Sequence, residues 1–169
     1  MAVKKALKIL GVIALSAAFL PKGASAAACY KPVEAEAEQG IRIHSELMVI
    51  GYGCAHMATA NGKNLAVAYS QFTHDHQVVL AKYEEILMNY FQKNGDPNPE
   101  ASLNTLRTKF GNKISEDQAT MRPDVFCKRY APRILKAETM DDTDLRKWAA
   151  TIYPSHPVSR PLCGNSGKS

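Results

Sequence analysis

Leu47-Met48-Val49-Ile50-Gly51-Tyr52-Gly53-Cys54-Ala55 is apolar or small at every position. A helix with one side in water shows a polar stripe, whereas a helix that is hydrophobic all round is enclosed by other elements. The stretch therefore predicts a central helix, running from about Val33 to Met57, with the rest of the chain packed around it. Its start carries Glu34, Glu36 and Glu38, which suit the positive end of a helix dipole. Gly51 and Gly53 each cost a helix about 1 kcal/mol against Ala, which predicts a second backbone passing close by. A β-strand over Leu47 to Tyr52 is the competing reading.

Downstream, the apolar residues Leu65, Ala68, Tyr69, Phe72, Val79, Leu80, Tyr83, Ile86, Leu87, Tyr90 and Phe91 recur at helical intervals and lay one stripe along a helix. One long helix is predicted, capped by Asn64 and ended by Asn94-Gly95 and Pro97. Shorter helices follow. Asn98-Pro99-Glu100 leads into Leu103, Leu106 and Phe110, and Ser115 to Gln118 has the form of a new capping box. Pro123-Asp124 opens a segment with Phe126, Cys127, Tyr130 and Ile134, and Asp142-Thr143 opens one with Leu145, Trp148 and Ile152. The fold class that results is all-α: an irregular helical bundle around the central N-terminal helix, stapled by disulfides.

Residues 1–26 read as a bacterial secretory leader, with Lys4, Lys5 and Lys8, the apolar run Ile9 to Leu20, and Ala24-Ser25-Ala26 ahead of Ala27. That run is 12 residues long, short of the roughly 20 that span a membrane. The chain divides into this leader, a helical domain over 27–153 and an irregular tail over 154–169, rich in Pro and tied down through Cys163. The expected location is the periplasm or the exterior, with no membrane span in the mature chain. Ala26-Ala27-Ala28 ahead of Cys29 lacks the Leu usual in a lipobox, so cleavage before Ala27 is expected in place of lipid attachment at Cys29.

Processing also removes Lys4, Lys5, Lys8 and Lys22, taking the formal charge from +5 to +1, 17 Lys plus Arg against 16 Asp plus Glu. The basic balance belongs mostly to the leader and gives no ground for a nucleic-acid partner. The densest remaining cluster, Lys128, Arg129, Arg133 and Lys136 with Arg122 nearby, reads as a solvated helix face.

Cys29, Cys54, Cys127 and Cys163 in an exported chain imply two disulfides. A continuous helix from Val33 to Cys54 rises about 31 Å, and the four residues after Cys29 recover at most about 14 Å. A Cys29 to Cys54 bridge is thereby excluded, and two connectivities stay open.

No C-x-x-C pair, H-E-x-x-H, G-x-S-x-G, phosphate-binding loop, dinucleotide fingerprint or EF-hand loop is present. His74 and His76 fall about 200° apart on a helix, and His44 and His56 diverge by about 120°, so neither pair makes a metal site. His76 reads as a core or boundary histidine with one hydrogen-bond partner. Glu46, two residues from His44, reads as a solvated helix residue and is the carboxylate kept as a candidate acid or base. No metal, haem or other cofactor is predicted.

The stretch Arg42 to Cys54 with Glu46-Leu47-Met48-Val49, together with Tyr90-Phe91, Leu103 to Ser115 and Phe126-Cys127, resembles a group of small exported bacterial proteins of unassigned function. The similarity covers Val33 to Tyr130. It implies a Cys54 to Cys127 bridge in a helical domain and carries no catalytic residue. Those two cysteines also lie on core-facing helical positions, leaving Cys29 and Cys163 to join the two ends. The functional expectation is a non-enzymatic binding or interaction module of the envelope, with an envelope protein or a small ligand as partner. The alternatives are an envelope-acting enzyme whose site is assembled by the fold from Glu46 and His44, and a metal or haem carrier.

Overall fold

The computed structural model describes residues 28–164, and the expected leader lies outside the described residues. Among the described residues six helices follow one another: α1 (Pro32–Gly53), α2 (Leu65–Asp75), α3 (Gln77–Lys93), α4 (Pro99–Thr120), α5 (Pro123–Ala137) and α6 (Asp142–Ala150). No strand forms among the described residues, only isolated bridges. The all-α reading holds, and the strand alternative for Leu47 to Tyr52 falls, because that stretch lies within α1.

Four of the helices, α1, α2, α4 and α6, start where a nearby side chain supplies an acceptor for a free N–H group. Glu34 reaches back to the Lys31 N–H at 2.7 Å. Asn64 accepts from Val67 N–H at 2.9 Å, Asn98 from Ala101 at 3.1 Å and Asp141 from Asp144 at 2.8 Å.

α1 touches each of the other five helices. α2 and α3 run back along it: Leu65 and Tyr69 lie against Gly51, Tyr83 against Gly40, and Tyr90 against Tyr30. At Gly51 an added Cβ would sit 2.8 Å from Tyr69 Cβ and 3.2 Å from the Leu65 carbonyl oxygen, which is the close backbone its glycine foretold. At Gly53 the neighbour is instead the Gln118 side chain of α4. α5 is bolted to the end of α1 by the Cys54–Cys127 disulfide, both cysteines buried. Cys29–Cys163 joins the two ends of the described chain.

Several boundaries differ from expectation. α1 stops at Gly53 and not near Met57, because the chain must turn at Cys54 to bring α2 back. That turn closes through an Ala58–Asn64 bridge around Gly62, whose φ is +77°. The long helix from Leu65 is two helices meeting at His76, where ψ opens to 15° while its ring is held by Asp142 of α6. The ladder continues through the joint, His76 N–H to Phe72 and Leu80 N–H to His76, so the apolar stripe is kept. Ser115 to Gln118 starts nothing. They lie inside α4, since Phe110, Gly111 and Ile114 continue the buried stripe begun at Leu103. α6 ends at Ala150, leaving Ile152 outside it.

The expectation that Leu47 to Ala55 is enclosed on all sides also fails in part. Met48 is 43% exposed and Tyr52 62% exposed. α2 covers the Gly51 side and α5 the Cys54 side, and Met48 and Tyr52 lie between them, left open among the described residues apart from the edge of Tyr69 against Tyr52. Met48→Asp should therefore leave the domain folded, with a loss of at most about 1 kcal/mol from helix propensity and the unfavourable charge near the helix C-terminus. A urea titration reads this directly, and cooperative unfolding at low urea would mean that the face is buried.

Candidate functional site

Along one face of α1, Glu38, Arg42 and Glu46 fall at intervals of four. Because α1 is enclosed there, each charge must find a partner inside the protein. The chain after α6 supplies most of them by lying back over α1 as an extended strap. Glu38, fully buried, accepts from the Ser159 N–H at 2.7 Å and from the Ser159 hydroxyl. Gln39 Nε2 donates to the His156 carbonyl at 2.6 Å, and Arg42 Nη2 donates to the Pro157 carbonyl at 2.6 Å. Tyr30 N–H bonds to the Pro161 carbonyl and Cys163 N–H to the Tyr30 carbonyl, both at 2.8 Å.

Arg42 lies over the Phe110 ring, its guanidinium carbon 4.2 Å from the ring centre. Burial lowers its pKa, against the pull of Glu46 and Glu38. Burial also lowers the pKa of His156, with Glu46 opposing and Arg133 and Arg42 reinforcing the effect.

Glu46 is not the solvated residue expected. It is buried and paired with Arg133 of α5. In the basic cluster Lys128, Arg129 and Lys136 are indeed exposed, and Arg133 is the exception because it is drawn inward by this carboxylate. Arg133→Met should cost about 2–3 kcal/mol by leaving Glu46 buried without its partner, discounted because Arg133 keeps 24% of its side chain in water. Glu46→Leu combined with Arg133→Leu should recover most of that loss, since an apolar pair removes both desolvation costs. Urea midpoints of the single and double variants check this, and equal losses in both would show that the pair does not act as a unit.

His44 faces the other way. Its Nε2 is 2.9 Å from the Tyr69 hydroxyl and 3.3 Å from Thr73 Oγ1, and its ring stacks on Tyr69. Burial lowers its pKa, Arg107 adds to this and Glu84 opposes it. His44 and Glu46 thus do not share a site. His76 is buried with Nδ1 2.6 Å from Asp142, the single-partner core histidine anticipated. His56 and His74 are exposed. Among the described residues no three His, Cys, Asp or Glu side chains converge.

A second feature lies where α5 turns into α6. A shallow cleft of about 430 Å³ is floored by Trp148 and Met140 and rimmed by Lys136, Lys147, Asp144 and Tyr153. Lys136 Nζ sits 5.7 Å from the Trp148 ring centre, Lys147 pairs with Asp144 at 3.3 Å, and Tyr153 is 48% exposed. Thr139 and Thr151 add hydroxyls at its edge.

The chain matches no protein-family model, no curated protein and no solved structure.

The ionic face was open to sequence reasoning. Glu38, Arg42 and Glu46 recur every four residues on a helix already read as enclosed, and that combination demands internal partners. Nothing in the local pattern names those partners, because Ser159 and Arg133 lie far along the chain. The cleft left only one sequence signal, a lone Trp near two lysines.

Proposed function

We propose that this chain is an exported, non-enzymatic binding module of the cell envelope, with the Trp148 cleft as its recognition surface. The observation that carries the reading is the convergence in one concave place of the chain's single Trp, an exposed Tyr, two Lys and hydroxyl groups. Aromatic floors with a few polar groups at the rim are the usual form of small-ligand sites. The buried charges of α1, by contrast, are engaged with one another, with Arg133 of α5 and with the strap, and His44 is turned away from Glu46. Two disulfides, and no helix among the described residues long and apolar enough to cross a membrane, fit the exported location read from residues 1–26.

Two lysines against one carboxylate favour a small ligand that bears a ring for Trp148 and an anionic group for Lys136 and Lys147. Trp148 is the only Trp and so reports its own occupancy. Titration with soluble peptidoglycan fragments should shift its fluorescence saturably, and Lys147→Ala should weaken the response about tenfold. No saturable change with these fragments, in fluorescence and in calorimetry alike, would count against this surface.

A further inference from the structure

The strap is held in an unusual way. Residues 156–163 form no helix and are held mostly through their own backbone: the carbonyls of His156 and Pro157 and the N–H of Ser159 bond to α1, and the carbonyl of Pro161 and the N–H of Cys163 bond to Tyr30 just ahead of it. Val158 and Leu162 pack on the core, while Pro157, Ser159, Arg160 and Cys163 remain exposed. This is an extended peptide seated in a groove, and the groove's occupant belongs to the same chain.

Thr151 to Ser155, which connect the strap to α6, are all exposed, and the hydrogen bonds recorded for them stay within residues 147–156. The bridge that secures the strap is also exposed at Cys163, whereas Cys54 and Cys127 are buried. A thiolate in solution therefore reaches one disulfide and not the other.

We infer that the strap is an exchangeable arm: the groove on α1 that holds it within one chain takes the same segment from a second copy, the Cys29–Cys163 bridge passing from within a chain to between two chains. The second copy is the occupant because its strap is the one sequence seen to bond Glu38, Gln39 and Arg42 together. Reciprocal exchange closes a two-fold dimer in which every groove contact is kept.

The chemistry balances without net oxidation. A small thiolate attacks Cys163 Sγ, forming a mixed disulfide and releasing the Cys29 thiolate. The Cys29 thiolate of a second copy then attacks Cys163 of that mixed disulfide, forms the inter-chain bridge and returns the small thiolate. What opposes exchange is the high local concentration of a tethered arm, on the order of 1 mM for a short flexible connection.

The test mixes isotopically heavy and light copies of the full chain in equal amounts at about 1 mM, near that tethered concentration, with catalytic reduced glutathione. The mixture is then quenched in acid and digested without reduction. Hybrid heavy–light Cys29–Cys163 peptides are expected, their fraction falling on roughly 100-fold dilution, while Cys54–Cys127 peptides stay unmixed. Within the dimer fraction the Ser159 amide should be as protected from hydrogen exchange as in the monomer. Only unmixed Cys29–Cys163 peptides, with or without a glutathione adduct, overturn the inference. Mixing of Cys54–Cys127 in step, or an unprotected Ser159 amide in the dimer, overturns it equally, because each shows cross-linking without a seated arm.

Discussion

Replacing Cys54 and Cys127 together by Ala lowers the stability of the domain by about 4 kcal/mol, or roughly 12 °C in Tm for a chain of this size. The bridge spans 73 residues, and its main effect in the chain-entropy account is to restrict the unfolded ensemble. Length alone makes the opposite forecast for the other bridge. Cys29–Cys163 spans 134 residues and would be assigned about 5 kcal/mol on the same account. The two differ in what they hold. Cys54–Cys127 joins α1 to α5 inside the core, so losing it acts on the whole cooperative unit. Cys29–Cys163 secures a strap that can leave α1 while the six helices stay packed, so much of its loss is spent on local detachment. Urea unfolding of the two paired Ala variants should show the larger drop in midpoint for the shorter loop. The reverse order would mean that strap and core unfold as one.

Gly40→Ala should destabilise by about 3 kcal/mol, at the upper end for overpacking. A methyl built on Gly40 overlaps Cδ2 and Cε2 of Tyr83. That ring has nowhere to go: Tyr83 is buried, and its hydroxyl donates to Glu36 at 2.8 Å. Either the ring leaves its bond or α1 and α3 move apart along their whole contact. Gly111→Ala is the matched control. There an added Cβ meets only Val49 Cγ2 at 3.6 Å, ordinary contact, within the regular part of α4. The helix gains up to about 1 kcal/mol from the better helix former. Two identical substitutions, both in helices, should therefore shift thermal unfolding in opposite directions. A loss at both sites would mean that helix packing around Gly111 is tighter than the geometry allows.

What could be read without coordinates follows from how far each determinant reaches. The central placement of α1 was legible because Leu47 to Ala55 offers no continuous polar side, and the start of α2 because Asn64 needs only Val67 to act as a cap. The exposed faces of Met48 and Tyr52 were not, since they depend on where α2 and α5 end. The long helix was divided by His76, which answers to Asp142, 66 residues away. Glu46 was misread for the same reason. As part of a surface helix it is an ordinary solvated carboxylate, and only the arrival of Arg133 from α5 makes it a buried one. His44 kept its identity as a polar group on a helix, but its partners Tyr69 and Thr73 exclude it from any site with Glu46.

The separation between Glu38 and Ser159 sets an order of events during synthesis. A chain emerging from its N-terminus completes α1 early, yet the carboxylate of Glu38 has no partner until a residue 121 positions later has appeared. Until then Glu38, Gln39 and Arg42 keep their water, and α1 presents a wetted seam through the middle of the nascent bundle. Desolvation of Glu38 is deferred until residues 156–163 arrive, so a chain truncated before Ser159 keeps water where the strap would bond to α1.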